Sequence, residues 1–476
     1  MTTARRTSGR ERPRSTGWWL LGATLFVSAL GLYALAAVRG EPTAAGLVAV
    51  PVVGLLATPL LAHARRVEDR FDLAGILFAA LGAKLCATYC RFWMVDSLYD
   101  GVGDSSTYHT YGAAFAPLFR DLNFDVDPGR PVPGTGFIRV LTGVVYALVG
   151  SDRFVGFIVF GLLAFIGSWF FYKAFTTAAP YGEHKRYAIL IFFWPSLLFW
   201  PSAIGKEAWM IACLGLASWG AASIYARRPR GYALFALGVL GSAMPRPHIA
   251  IVVVAAAAVG LLVTSLFHGR RSTISLGSRI VASLFLLVLG SILAPRLATF
   301  LNIDDVGGSG FSESLDTVLE RTSQGGSGFD PATISSPLDY PKAFITVLFR
   351  PFPFEATGIS TILTAAEGTL LLGLTGLSLS RLARLPSALV RNAYVAYASA
   401  FTFMFCYVFA FIANFGILAR QRAQVLPFLF ILLALPAFTD RRGTRGRDRG
   451  AQPAHAAPKT VELVDMPVLA PPRART

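Results

Sequence analysis

The sequence predicts an all-α, polytopic integral membrane protein of about twelve transmembrane helices with two long external loops. Three observations predict it. The 476 residues are 54% hydrophobic and only 15% charged, whereas a soluble chain carries about a quarter charged residues. Mean hydropathy is +0.55, more apolar surface than aqueous domains of ordinary size can bury. The apolar residues fall in consecutive runs close to the roughly 20 residues needed to cross a bilayer core.

In chain order, the tail 1–17 carries Arg5, Arg6, Arg10, Arg12 and Arg14 against Glu11 and reads as a disordered cytoplasmic extension. The transmembrane domain covers 18–438. Its expected spans are Trp18–Val38, Ala44–Ala62, Leu73–Val95, Phe154–Tyr172, Tyr187–Ala203, Ala208–Ala226, Tyr232–Met244, Ile249–Phe267, Arg279–Ala298, Ser360–Ser380, Ala393–Ile412 and Val425–Phe438. Phe137–Gly150 is a further apolar stretch that either spans or re-enters. The tail 439–476, rich in Pro, Ala, Gly and Arg, reads as a second disordered cytoplasmic extension.

Charge sets the orientation. Five short loops are basic, around Arg65/Arg66/Arg70, Lys173/Lys185/Arg186, Arg227/Arg228/Arg230, Arg270/Arg271/Arg279 and Arg381/Arg384/Arg391. Twelve spans with both termini inside put all five on the cytoplasmic side, as the positive-inside rule requires. The long loops, about 96–136 and 299–342, then fall outside, and both are acidic. Residues 105–119 and 311–322 have the composition of short interfacial helices within them. The net charge of +16 therefore reflects topology. The basic tails lack aromatic interleaving, and nucleic acid is not an expected partner. The first apolar run is too long for a cleaved signal peptide. Cys86, Cys90, Cys213 and Cys406 all fall in expected spans, offering neither a disulfide framework nor metal spacing.

Against that background, the polar residues outside the cytoplasmic loops share one side. Gly103-Asp104-Ser105-Ser106-Thr107-Tyr108-His109, Gly205-Lys206-Glu207, Pro245-Arg246-Pro247-His248, Arg350-Pro351-Phe352-Pro353-Phe354-Glu355 and Arg420-Gln421-Arg422 all fall at the external boundary. Charges near hydrocarbon cost several kcal/mol unless paired or wet. Proline beside several of them stops helices, which membranes tolerate next to protein or a water-filled cavity. The expectation is a wet, positively lined pocket at the outer leaflet. Lys84 and Arg91, seven residues apart on one face of the third span, are intramembrane cations that could meet a lipid phosphate or a carboxylate such as Glu367. No P-loop, dinucleotide fingerprint or HExxH motif is present.

Gly103-Asp104 followed by Tyr108, and Arg420-Gln421-Arg422 followed by Pro427, resemble the motifs of polyprenyl-phosphate-dependent glycosyltransferases of the membrane C-type fold. The span count with two large external loops is also similar to Wzy-type polysaccharide polymerases. The resemblance covers the membrane body and not the tails, and no large soluble C-terminal domain follows. It implies sugar transfer from a lipid-linked donor to a glycan acceptor at the outer face of a bacterial plasma membrane, in cell-envelope assembly. In that scheme Lys206, Arg246, Arg350, Arg420 and Arg422 bind the donor phosphate through charge-assisted hydrogen bonds. Asp104 is the first choice of base, with Glu355 and His248 as alternatives. No metal site is assigned, although the Asp-rich loops could hold a divalent cation. Two other classes stay open: a transporter or flippase of lipid-linked saccharides using Lys84 and Arg91, and a non-enzymatic envelope scaffold whose external charges are structural.

Overall fold

The computed structural model describes residues 15–268, 277, 280–281, 283–291, 329 and 337–437. The tail 1–14, the expected helix 311–322, most of the loop 299–342 and the tail 439–476 lie outside the described residues, as does part of Arg279–Ala298. What is described is helical, with no β-strand among the described residues.

Among the described residues, five helices are long and apolar enough to cross a membrane: α1 (Thr16–Val38), α2 (Ala44–Val67), α3 (Leu73–Trp93, continued by a wider turn to Leu98), α6 (Arg153–Ala178) and α9 (Lys206–Tyr225). Two bent pairs raise the number to seven: α14 (Leu385–Arg391) with α15 (Ala393–Phe409), bent by 119°, and α16 (Phe415–Arg422) with α17 (Leu426–Leu433), bent by 57°. The expectation of twelve spans is thus met in part, by five to seven.

The differences have local causes. Tyr187–Ala203, expected as one span, is divided into α7 (His184–Phe193) and α8 (Pro195–Phe199). Trp194 takes ψ 130 before Pro195, because the pyrrolidine ring excludes the helical region for the residue before it. Phe137–Gly150 lies in α5 (Thr135–Val149), whose 15 residues reach only about 22 Å at 1.5 Å per residue. It packs instead against α4 (Asp104–Arg120). Gly112 and Gly143 allow this close approach, since a Cβ there would overlap Thr142, or the Phe119 ring and the Phe115 Cβ. The first long loop is therefore largely a helical hairpin.

The remaining elements are α10 (Arg230–Ala243), α11 (Pro247–His268), α12 (Tyr340–Phe349) and α13 (Ile359–Gly376). The centre of the bundle is α6 against α9 and α9 against α10, with α11 against α15 beside it. Small residues make that centre tight. Gly167 of α6 meets Gly215 of α9 backbone to backbone, and Gly238 of α10 meets Ala217, the close approach that small-residue seams permit between membrane helices. α1 and α2 lie at the periphery, with only 22% and 17% of their apolar windows buried.

Candidate functional site

Five helix ends converge around one carboxylate. Asp104 is the first residue of α4 and Glu207 the second of α9, so each acid sits where a helix presents its positive dipole end. Arg420 and Arg422 occupy the last turn of α16, where the same dipole favours cations. α16 begins where it does because the Asn414 side chain accepts a hydrogen bond from Ile417 N at 3.1 Å, an N-cap. Arg246 closes the turn between α10 and α11, and Thr135 opens α5.

Glu207, with a side chain 6% exposed, is the hub. Arg420 Nε lies 2.7 Å from its Oε1 and Arg420 Nη2 donates to its Oε2 at 2.9 Å. Arg246 Nη2 donates to Oε1 at 2.7 Å. Arg420 also donates through Nη1 and Nη2 to Asp104 Oδ2, at 3.2 and 3.1 Å, and Asp104 is 60% exposed. One arginine thus joins a buried acid to an open one. Lys206 Nζ donates to Thr135 Oγ1 at 2.8 Å, and Gly134 N donates to Met244 O at 2.7 Å, fastening the start of α5 beside the hub. Tyr108 is buried and packs beside Gly205. Burial, then the charges of Asp104 and Glu207, push its phenol well above the usual range, so it keeps its proton.

Next to this network is a cavity of about 350 Å³ whose lining includes Arg91, Tyr99, Asp104, Trp200, Glu207 and Arg420. Arg91 enters it from α3 with its guanidinium 5.3 Å from the Phe199 ring and 5.1 Å from the Trp200 ring. Its Nε and Nη1 are buried with no hydrogen-bond partner. Buried polar groups are nearly always bonded, so the Arg91 guanidinium is placed to meet an acceptor, water or anion, that enters the cavity. The charges agree: Arg91, Lys206, Arg246 and Arg420 face two carboxylates, Asp104 and Glu207. The site can take an anion, and its exposed carboxylate can take a proton.

The expected site residues divide into those that meet here and those that do not. Asp104, Lys206, Arg246, Arg420 and Arg91 come together. Arg422 does not. It is 1% exposed and donates through Nε to Val347 O at 3.0 Å and through Nη2 to Arg350 O, serving the orphan carbonyls at the end of α12. These bonds give Arg422 a task at the end of α12, while its Nη1 is buried without a hydrogen-bond partner. Arg350 and Glu355 form their own pair, with Nε 2.9 Å from Oε1, and Glu355 also accepts from Phe352 N at 2.8 Å. Burial would raise the Glu355 carboxyl, but bonds from Arg350 and the Phe352 amide outweigh it and hold it below the usual range, and the pair occupies Arg350. His248 lies at the start of α11 with its ring 6.1 Å from Phe409. Lys84 does not pair with Glu367. Its Nζ donates to the Leu197 and Leu198 carbonyls at 3.1 and 3.0 Å, and Glu367 accepts from Ser196 N at 2.9 Å and from the Ser196 hydroxyl. The two charges bind opposite ends of α8, Glu367 at its first turn after the break at Trp194 and Lys84 at the carbonyls of its last turn.

Two contributors escape a reading by residue type. Glu207 counts in the sequence as one boundary charge among many, and its place at the start of α9 beside Arg246 is the signal that could have raised it. Arg153 has no such signal. It joins Asp96 at 3.0 Å and Ser106 Oγ at 3.2 Å, anchoring α4 to α6. The described residues contain no group of three His, Cys, Asp or Glu able to hold a metal ion; Asp96 and Asp104 are both paired with arginines. No protein-family model, curated protein or solved structure matches the chain.

Proposed function

We propose that the chain is a membrane glycosyltransferase or polysaccharide polymerase that takes a sugar from a polyprenyl-phosphate-linked donor at the outer face of a bacterial plasma membrane. The observation that carries this reading is the unpartnered Arg91 guanidinium sharing a cavity with Arg420 and the exposed carboxylate of Asp104. Asp104 accepts the proton of the acceptor hydroxyl as its oxygen bonds to the anomeric carbon. The bond from that carbon to the donor's phosphate oxygen breaks, and the electron pair leaves with the phosphate. Arg91 and Arg420 meet the charge where it develops. Trp200 offers an indole face to the sugar or the isoprenoid. The topology that goes with this reading has twelve spans and both termini cytoplasmic.

The transporter reading asks Lys84 and Arg91 to line one path. It is less favoured because Lys84 is committed to two main-chain carbonyls. The test is complementation: with the native copy deleted, Asp104→Asn and Arg420→Ala each abolish glycan assembly while membrane abundance holds. Full assembly in both variants refutes the site.

A further inference from the structure

A second group of cations lies at the other end of the bundle and is independent of the glycan reading. α6 carries Arg153 beside Asp96 at the cavity end and Lys173 twenty residues later, about 30 Å along the helix at 1.5 Å per residue. Lys173 Nζ is 3.4 Å from His63 Nε2 of α2. It sits 5.7 Å from the Trp169 ring and 6.0 Å from the Trp219 ring of α9. Arg230, at the start of α10, lies over the other reach of Trp219 at 5.6 Å. His63 also packs edge-on to Trp169 at 6.1 Å.

The charged groups facing Lys173 are Arg228 and Arg230, and those facing His63 are Lys173 and Arg66. None of the five makes a salt bridge with a carboxylate among the described residues. Clustering like charges beside hydrocarbon is costly without a counter-anion. Free snorkelling would carry each side chain outward alone, yet Lys173 is held half-buried between two indoles. Indoles favour the headgroup level of a bilayer, and α2 beside them exposes Leu55 and Leu56 as an apolar wall.

We propose that His63, Lys173, Arg228 and Arg230, framed by Trp169 and Trp219, form a binding site for the anionic headgroup of a phospholipid, with an acyl chain along α2. Basic pockets between membrane helices bind such headgroups through their phosphates. The occupant is a lipid and not free phosphate, because the indoles and the α2 wall would otherwise face the ligand's water.

The test uses the purified full chain in detergent, with lipid binding counted by native mass spectrometry during titration with dioleoylphosphatidylglycerol or dioleoylphosphatidylcholine. The expected result is tighter binding of phosphatidylglycerol, weakened about fivefold for each charge removed in Arg228→Gln/Arg230→Gln, whose positions are exposed, and in Lys173→Gln. Lys185→Gln/Arg391→Gln, which removes two exposed cations outside the cluster, leaves it unchanged. Equal affinity for the two lipids, equal loss in the control pair, or unchanged binding in both cluster variants overturns the proposal. So does thermal protection by inorganic phosphate equal to that by phosphatidylglycerol.

Discussion

Arg420 grips Glu207 with two nitrogens, Nε at 2.7 Å from Oε1 and Nη2 at 2.9 Å from Oε2, across 213 residues of chain. Arg246 closes on the same carboxylate, so two arginines depend on one buried acid. Breaking a buried pair strands the remaining charge and costs about 3–5 kcal/mol. Glu207→Gln is therefore expected to lower the unfolding midpoint markedly, read as the melting temperature of the detergent-extracted protein. A midpoint equal to wild type contradicts the hub.

Asp104 contacts the same Arg420 but is 60% exposed. Exposed pairs contribute about 0–1 kcal/mol, so Asp104→Asn should barely move that melting temperature while abolishing glycan assembly. Loss of stability equal to that of Glu207→Gln would make Asp104 structural instead.

Arg91 gives the opposite balance. Its Nε and Nη1 are buried and unpartnered, and an unsatisfied buried charge destabilises the fold. Arg91→Met keeps the stem against Phe199 and Trp200. It is expected to melt at or above the wild-type temperature and to lose most of its activity. Unaltered activity removes Arg91 from the anion site.

Arg422 serves α12 and not the cavity. Arg422→Ala leaves the Val347 and Arg350 carbonyls without their donor, at about 1–3 kcal/mol for each stranded group. Its activity is expected to fall only in step with the folded amount, which a comparison of specific activity with size-exclusion profiles measures.

Glu68, in the turn between α2 and α3, provides a pH test. Burial would raise its carboxyl, but bonds from His184 and Arg70 outweigh that and hold it at about 2, below the ordinary 4.5. A carboxyl depressed in the folded state stabilises it fully above the ordinary value, and that stability is lost as pH falls toward the folded one. Wild type should therefore lose stability between about pH 4.5 and 2 more steeply than Glu68→Gln; parallel curves contradict the pairing.

Much of this was legible in sequence, and the remainder fails for identifiable reasons. Hydropathy located every long helix among the described residues, because a span must be apolar throughout, and the expected helices 105–119 and Ala208–Ala226 begin within two residues of the observed starts at Asp104 and Lys206. Hydropathy could not show that Pro195 divides one apolar run, nor that Phe137–Gly150 folds back on α4, since both depend on which helix lies beside them. Arg420 and Arg422 are two residues apart with the same chemistry. They serve the cavity and α12 respectively because side chains at that spacing leave a helix on different faces, and the sequence does not say which face meets which neighbour.

The most direct test of the central claim is to identify the lipid-linked saccharide that accumulates, and on which leaflet, when cells carry Asp104→Asn as their only copy. A polyprenyl-linked donor or complete repeat units are expected to build up on the outer leaflet, awaiting transfer. Accumulation on the cytoplasmic leaflet, or no accumulation, would contradict it.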